Sequence, residues 1–414
     1  MECASLPFVD FTLSPFLGSF LRALWQCSYL AVVAVLCGLF SGCDNPVFSE
    51  NSGNRLPVTV GVGLDTSQNA RFDINIPTVS LIVCPPGDEN RCRRIDHILL
   101  DTGSSGLRIF RSVLPFNPPP LRVKGKRVFE CLPFGTANLW GFLGSLDVRM
   151  GGEPVIRSVP VQIIGRNPVP SHRLILPPTC VQRVPNKPED TYAGFNGILG
   201  VAPQKYDNGF TYICKESRCF LWAPQPSFRV PNPVMLLPVD NNGIVLSFPQ
   251  VPMEGSGPIS GEIRFGIWTR TNNQIPSDTT IYRLDGAGYF RAFVNHSWIP
   301  VKADSGTNFF LVPFLPSQFP SCPQPIPSFV CPSRPSFFPL VLRGAGESSV
   351  GFINLPVGDA RVLLTKKQIV IPGILLRGKI FQFPVIGLGL PFFLGRSVYI
   401  LYQDDLRAAG IGYQ

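Results

Sequence analysis

The stretch ILLDTGSSGLRIF, from Ile98 to Phe110, takes an apolar run directly into an acidic residue, Asp101, and then into a turn of small residues. A carboxylate at the end of a buried strand is costly unless it has partners. A second stretch, VKADSGTNFFLV (Val301–Val312), repeats the same plan around Asp304. One copy fits an ordinary strand-to-turn junction, whereas two copies indicate a shared mechanism.

Each acidic turn is followed later in the chain by an apolar stretch that contains glycine. The stretch GILG ends at Gly200, 99 residues after Asp101, and LGL is centred on Gly389, 85 residues after Asp304. This weak internal repeat predicts two related lobes that face each other, with one acidic turn in each.

The residue types around the two acids suit a pair of carboxyl groups that share a proton. Two carboxyl groups about 3 Å apart cannot both ionise easily, so one stays protonated while the other acts as a base. A glycine two positions after each acid lets the backbone turn tightly and its N–H approach the carboxylate. Hydroxyl groups can hydrogen-bond the carboxylates and can tie one turn to the other. By this reasoning the catalytic candidates are Asp101 and Asp304, and the supporting candidates are Thr102, Gly103, Ser104, Ser305, Gly306 and Thr307.

Composition indicates an all-β protein with many turns. The chain has 414 residues, which suits two lobes better than one core. Its 44 prolines and 39 glycines are scattered among short apolar runs, and we expect little helix because no long 3.6-residue periodicity appears. The net charge of +9 is spread along the chain without a run of basic residues, so we do not expect nucleic-acid binding.

The N-terminus carries features of an export signal. Residues 30–40 (LAVVAVLCGLF) form an apolar core of secretory-signal length, and LFSGC, ending at Cys43, resembles the lipobox of bacterial lipoproteins. We therefore expect cleavage before Cys43, a lipid on its thiol that anchors the protein to a membrane, and a location in the bacterial cell envelope facing the periplasm or the cell surface. An ordinary signal peptide or an uncut membrane anchor is the alternative.

Eight cysteines remain after Cys43, an even number that suits a disulfide framework in an exported protein. Three pairs are close in sequence and a fourth pair is left over, although sequence alone does not fix the pairing. A zinc site is the less favoured alternative, because C-x-x-C pairs are absent and histidine is scarce, so we expect no metal. The candidates are Cys84 with Cys92, Cys214 with Cys219, Cys322 with Cys331, and Cys131 with Cys180.

Several stretches together resemble the pepsin-type, bilobal aspartic proteases, and within that fold class the bacterial family DUF3443. The likeness to pepsin-type proteases covers the chain from about Val58 to the C-terminus. It rests on DTGSSGLRIF, FGTANLWGFLGSLDVRMGG, AGFNGILGVAP, ISGEIRFGI, ADSGTNFF and LGLPFFLGRSVYILY. The parts most similar to DUF3443 are VCPPGDENRCRRIDHILLDTGSSGLRI, VDNNGIVLSFP and FGIWTRTNN.

The resemblance implies roles for individual residues. Asp101 and Asp304 stand at the catalytic positions, and the hairpin that covers substrate, the flap, has its tip at Phe134, Gly135 and Thr136. Two features depart from the pattern. Phe134 stands where a tyrosine is usual, and Arg108 stands where the tryptophan that often partners that tyrosine is expected.

We therefore expect an all-β, bilobal pepsin-like fold built from two related β-barrel-like lobes with a cleft between them. The expected organisation is a signal peptide at 1–43, a tether at 44–57, an N-terminal lobe with the flap at 58–238, and a C-terminal lobe at 239–414. The expected function is an aspartic endopeptidase that needs no cofactor, acts on peptide or protein substrates as a monomer, and prefers apolar side chains beside the cleaved bond. The alternative is a non-catalytic lipoprotein that binds peptides or envelope components in the same cleft.

Overall fold

The computed structural model describes residues 53–61, 74–135, 137–165, 177, 180, 194–215, 218–346, 349–366, 368–378, 384–403 and 408–414. Residues 50–414 form one compact unit. The predicted signal peptide, Cys43 and most of the tether lie outside the described residues, so those predictions stay as they are. No helix in the described ranges is long and apolar enough to cross a membrane.

The strands follow one another with few helices between them, as the composition predicts. In chain order they are β1 (Arg55–Gly61), β2 (Ile76–Cys84), β3 (Arg93–Asp101), β4 (Ser105–Phe110), β5 (Arg122–Val123), β6 (Lys126–Phe134), β7 (Ala137–Arg149), β8 (Ile156–Ile164), β9 (Gly197–Val201), β10 (Phe210–Lys215), β11 (Arg218–Leu221), β12 (Gly243–Ser247), β13 (Ile259–Phe265), β14 (Ile281–Arg283), β15 (Phe290–Val294), β16 (Ser297–Ala303), β17 (Phe310–Val312), β18 (Ser336–Arg343), β19 (Val350–Val357), β20 (Leu375–Arg377), β21 (Ile386–Leu388), β22 (Ser397–Leu401) and β23 (Gly410–Tyr413). The α-helix α1 spans Ala360–Thr365, and short 3-10 helices span Glu89–Arg91, Arg111–Val113, Pro226–Phe228, Pro233–Leu236, Thr271–Asn273 and Leu390–Phe392.

A closed barrel occupies the first half of the unit. Its strands pair in the order β2–β3–β9–β4–β8–β7, and β7 pairs back onto β2 to close the ring. Strands β4 and β9 are buried along their whole length, as expected of strands covered on both faces. The barrel therefore holds the end of β3, and with it Asp101, in an apolar surrounding.

The same sheet extends from the barrel into the second half of the chain. It runs from β2 through β1 to β13, β12, β22, β23 and β14, so the antiparallel pairing of β1 with β13 joins the two halves. A second sheet has the order β19–β18–β15–β16–β21–β17–β20 among the described residues. The predicted all-β fold class is confirmed, whereas the predicted lobe boundary at 238–239 stays a prediction.

The internal repeat appears as the same three-strand arrangement in both halves. In the first half, β9 lies between β3, to which it is parallel, and β4, to which it is antiparallel. In the second half, β21 lies in the same way between the parallel β16 and the antiparallel β17. Each acidic turn is thus the connection between two strands that flank a glycine-containing third strand.

Four disulfides join the cysteine pairs that the sequence suggests, and the disulfide prediction is confirmed. Cys84–Cys92, Cys214–Cys219 and Cys322–Cys331 close short loops, with sequence separations of 8, 5 and 9 residues. Cys131–Cys180 closes a much longer loop, with a separation of 49 residues. This bond ties β6 to a segment that precedes β9.

Replacing Cys131 and Cys180 together by alanine should lower the free energy of unfolding by about 4 kcal/mol, because the closed loop is long and its constraint on the unfolded chain is large. The matched control replaces Cys214 and Cys219, whose short loop should be worth about 2 kcal/mol. Urea unfolding of both variants under non-reducing conditions measures the difference. Equal losses, or a larger loss in the control, would contradict the expectation.

Candidate active site

The two acidic turns leave their strands at equivalent points. Asp101 is the last residue of β3 and pairs with Gly200 of β9. Asp304 follows the last residue of β16, and its backbone N–H donates to the carbonyl oxygen of Leu388 of β21 at 2.9 Å. Both acids are therefore fixed by parallel strand pairing before their turns begin.

Four hydrogen bonds cross between the turns. The backbone N–H of Thr102 donates to Oγ of Ser305 at 3.1 Å, and the N–H of Ser305 donates to Oγ1 of Thr102 at 2.9 Å. Each hydroxyl also donates to a carbonyl oxygen at the end of the opposite strand, Thr102 to Ala303 at 3.1 Å and Ser305 to Leu100 at 2.7 Å. The two side chains are buried, so this symmetric set locks one turn against the other.

Each carboxylate is also held within its own turn. Oδ1 of Asp101 accepts from the N–H of Gly103 at 2.7 Å, and Oδ2 accepts from the hydroxyl of Ser104. Asp304 has the equivalent bonds, from the N–H of Gly306 at 3.0 Å and from Oγ1 of Thr307 at 2.9 Å. These donors fix the direction in which each carboxyl group points.

The glycines of the two turns lie against the opposite acid. A Cβ atom on Gly103 would come within 2.6 Å of both carboxylate oxygens of Asp304, and one on Gly306 would come within 2.8 Å of Oδ1 of Asp101. Real Cβ atoms essentially never come this close to another atom. The turns therefore interpenetrate, and the two carboxyl groups are neighbours.

Burial and mutual charge decide how the pair ionises. Asp101 is 2% exposed and Asp304 is partly exposed. Burial, reinforced by the negative charge of Asp101 and a hydrogen bond to it, raises the pKa of Asp304 to about 7. Asp304 therefore keeps its proton at acidic pH, up to about pH 7.

Gly200 and Gly389 each lie directly against the backbone of one acidic turn. A Cβ atom on Gly200 would lie 2.7 Å from the carbonyl oxygen of Ser104, and one on Gly389 would meet the carbonyl oxygen of Thr307. Both carbonyl oxygens also accept a backbone hydrogen bond. The N–H of Ala202 donates to the oxygen of Ser104 and the N–H of Leu390 donates to the oxygen of Thr307, each at 2.8 Å. The two halves thus use equivalent contacts.

Two residues that sequence reasoning missed lie beside Asp304. Tyr289 is close enough that the charge of Asp304 contributes, after burial and Asp285, to raising the pKa of its phenol. The ammonium group of Lys302 lies 5.3 Å from the centre of the Tyr289 ring, and its charge partly opposes the rise in the pKa of Asp304. Only the alternation of β16, which puts Lys302 and Asp304 on one side, could have indicated this neighbour.

The structure describes most of the hairpin that is predicted to be the flap. Strands β6 and β7 form the predicted hairpin, with Phe134 paired to Ala137. Gly135 has a φ of +55°, which suits a tight turn, and Thr136 lies outside the described residues. Phe134 packs against an apolar cluster that includes Leu132 and Leu139, so the hairpin is anchored near its tip by apolar contacts.

Arg108, at the position where tryptophan was expected, is completely buried. Its guanidinium forms an ion pair with Asp207 and donates from Nη1 to the carbonyl oxygens of Ser105 at 2.8 Å and Gly106 at 3.1 Å. The side chain therefore supports the backbone that follows the Asp101 turn. It does not reproduce an aromatic contact with the flap.

Glu130, in flap strand β6, completes this buried cluster. Burial raises the pKa of Glu130 well above its usual range, and the charge of Asp207 adds to the effect. Glu130 is thus the protonated member that shares a hydrogen bond with Asp207, while Asp207 pairs with Arg108. Gly209 makes room for it, because a Cβ atom there would lie 2.6 Å from Cδ of Glu130.

A recess of about 480 Å³ opens next to the first turn. Its lining includes Gln204, whose carbonyl oxygen accepts from the hydroxyl of Ser105 at 2.8 Å. Lys205 and Arg229 contribute positive charge and both lie against the ring of Tyr206.

Replacing Gly103 or Gly306 by alanine should strongly destabilise the protein, because the added methyl group would collide with the opposite carboxyl group. We expect a loss of about 2 kcal/mol or more for each variant in urea unfolding. Gly286→Ala is the matched control, since nothing lies within 4 Å of a Cβ atom at that position. Variants of Gly103 and Gly306 as stable as the control would mean that the turns do not interpenetrate.

Replacing Asp304 by asparagine should raise the thermal stability at pH 8 and leave it little changed near pH 4. A carboxyl group whose folded pKa is about 7 binds its proton more tightly than in the unfolded chain, so its favourable contribution is lost as the pH rises from about 4 to about 7. The asparagine side chain does not titrate, so the variant does not lose stability at this position as the pH rises. Melting temperatures from pH 4 to 8 measure the effect, with Thr307→Ser as a control that keeps the acid.

Comparison with solved structures gives a match to the aspartic proteinase from Irpex lacteus, with a TM-score of 0.49 and 13% sequence identity, covering 86% of this chain and 96% of that one. Comparison with curated proteins gives no match. A family model described as "Protein of unknown function (DUF3443)" matches residues 50–413, which is nearly all of the compact unit. The chain therefore belongs to the DUF3443 family.

Proposed function

We propose that the protein is an aspartic-type endopeptidase that hydrolyses peptide bonds with a water molecule held between Asp101 and Asp304. The observation that carries the proposal is the pair of interpenetrating acidic turns, each with a glycine against the opposite carboxyl group. A structural role alone would not require two acids to face each other in a buried position, since this arrangement costs stability. Proton-sharing between carboxyl groups is the chemistry that such a pair can perform.

The environments of the two acids support different roles for them. Asp304, with its raised pKa, is the protonated member below about pH 7 and donates its proton to the carbonyl oxygen of the substrate. Asp101, supported by the donors of Gly103 and Ser104, accepts a proton from the water as the oxygen attacks the carbonyl carbon. Asp101 then gives this proton to the leaving nitrogen as the C–N bond breaks, and a hydroxyl group of the intermediate returns a proton to Asp304 as the carboxyl group of the product forms. This mechanism uses no metal or cofactor.

The setting of the enzyme is part of the same proposal. Four disulfides fit an oxidising compartment outside the cytoplasm. We propose that the mature protein is a bacterial envelope lipoprotein held by a lipid on Cys43, and that its substrates are peptides or exposed segments of proteins. The polar recess beside the first turn supports acceptance of polar side chains on one side of the cleaved bond.

The test uses residues 50–414, which contain the compact unit with both turns and all four disulfides. Cleavage of a peptide library between pH 3 and 8 should show activity that falls on the alkaline side as Asp304 loses its proton near pH 7. Asp101→Asn and Asp304→Asn should each lower kcat/KM by about a thousandfold or more, because each removes one partner of the proton transfer. Pepstatin should inhibit the wild-type protein.

A control variant, Phe134→Tyr, and a binding measurement separate the proposed peptidase from the alternative function. Phe134→Tyr should keep activity within about tenfold, because the ring keeps its apolar packing and both acids remain. Activity that survives Asp101→Asn would exclude the acid pair as the catalyst. A wild-type protein that binds peptides at every pH tested but cleaves none would instead support a peptide-binding lipoprotein.

A further inference from the structure

The outer face of the second sheet is apolar and aromatic where a solvated face should be polar. Strands β16, β15, β18 and β19 lie side by side in this order, and alternate residues of each point into the core. The residues that point outwards, which we call the outer face, are Arg291, Phe293, Trp298, Pro300, Lys302, Phe337, Pro339, Val341, Arg343, Val350, Phe352, Asn354 and Pro356.

Strand register joins the apolar residues of the outer face into a continuous row. Phe293 pairs with Trp298 on one side and with Val341 on the other, and Val341 pairs with Phe352. The rings of Phe293 and Trp298 are in contact, with centroids 5.4 Å apart. The row therefore crosses four strands without a polar interruption.

These side chains are exposed to an extent that is unusual for aromatic residues. Phe352 is 77% exposed, Phe337 62%, Val350 58% and Phe293 42%. Single exposed apolar residues are common, but an adjoining group of this kind marks an interaction surface. The inner side of the same strands already supplies the core, so packing within the unit does not explain the row.

The charge of the outer face has one sign. Arg291 and Arg343 pair across β15 and β18 and form a second row beside the apolar one. The guanidinium of Arg343 lies 4.1 Å from the centre of the Trp298 ring, whereas the ammonium group of Lys302, at the end of β16, lies over the Tyr289 ring beside Asp304. None of the residues in these four strands, all of which the structure describes, is acidic.

We propose that the outer face is a docking surface for an anionic lipid bilayer. Aromatic side chains lie favourably at the boundary between headgroups and acyl chains, and neighbouring arginine and lysine residues attract anionic headgroups. A second copy of the chain would place arginines against arginines, which opposes self-association through this face. A sugar or nucleic-acid ligand would need more hydrogen-bonding side chains among the aromatic residues than Asn354 supplies.

Docking by the outer face is independent of the lipid predicted on Cys43 and of peptidase activity. The test therefore uses residues 50–414, which lack Cys43, and measures co-flotation with vesicles. Binding should be clear for vesicles with about a third of anionic phosphatidylglycerol and weak for pure phosphatidylcholine, and added salt should reduce it because the cations contribute.

Two double variants distinguish binding by the outer face from non-specific adsorption through other exposed apolar residues. Phe337→Ser with Phe352→Ser should lower the partition coefficient about tenfold or more, because two large apolar side chains no longer enter the bilayer. The matched control is Phe220→Ser with Leu221→Ser, since these residues of β11 are 60% and 68% exposed and lie in the other half of the chain. The control should bind vesicles like the wild type.

Melting temperatures establish that each variant is folded, and substitutions of exposed residues should leave them nearly unchanged. Arg291→Gln with Arg343→Gln should remove the preference for anionic vesicles while keeping the residual binding to neutral ones. The proposal is overturned if the wild type does not bind anionic vesicles, or if the phenylalanine variant and its control lose binding equally. Concentration-dependent dimerisation that the phenylalanine variant abolishes, without vesicle binding, would overturn it in favour of a second copy.

Discussion

The crossed hydrogen bonds between Thr102 and Ser305 are the contacts on which the site depends. Each hydroxyl accepts from the opposite backbone and donates to the opposite strand end, so neither turn can shift without breaking bonds in both. One turn grows from the barrel and the other from the second sheet. The same four bonds therefore fix one turn against the other and set the spacing between Asp101 and Asp304. The absence of a Cβ at Gly103 and Gly306 is what allows this approach.

The acid pair lowers the stability of the folded protein when both carboxyl groups are ionised. Burial next to Asp101 raises the pKa of Asp304, and the free energy behind that shift is a cost whenever both acids are ionised. A second carboxyl pair has the same character, since burial and Asp240 raise the pKa of Glu153 to about 7. Asp240 is compensated by Arg270, whose Nε donates to it at 2.7 Å, whereas no cation pairs with Asp304 so closely among the described residues. The acid pair is thus the less compensated of the two carboxyl pairs.

The sequence predicts the parts of this structure that depend on local pattern. Strand–turn–strand alternation places β2 and β3 around the Cys84–Cys92 loop, and the repeated D-[TS]-G-[ST] turn locates both acids. The sequence does not predict contacts between residues that lie on strands far apart in the chain. Nothing around Arg108 or Glu130 reveals that they meet through Asp207, because the three lie on separate strands and loops. The outer face was also missed, since its aromatic row exists only when β16, β15, β18 and β19 are placed side by side.

The cluster of Arg108, Asp207 and Glu130 connects the Asp101 turn to the hairpin of β6 and β7. Arg108 holds the backbone that follows the Asp101 turn, and Asp207 passes the connection to Glu130 in flap strand β6. Glu130 lies four residues before Phe134 on that strand, so it and the flap tip share one rigid element. The flap is therefore linked to the floor of the site at its root and through buried polar groups.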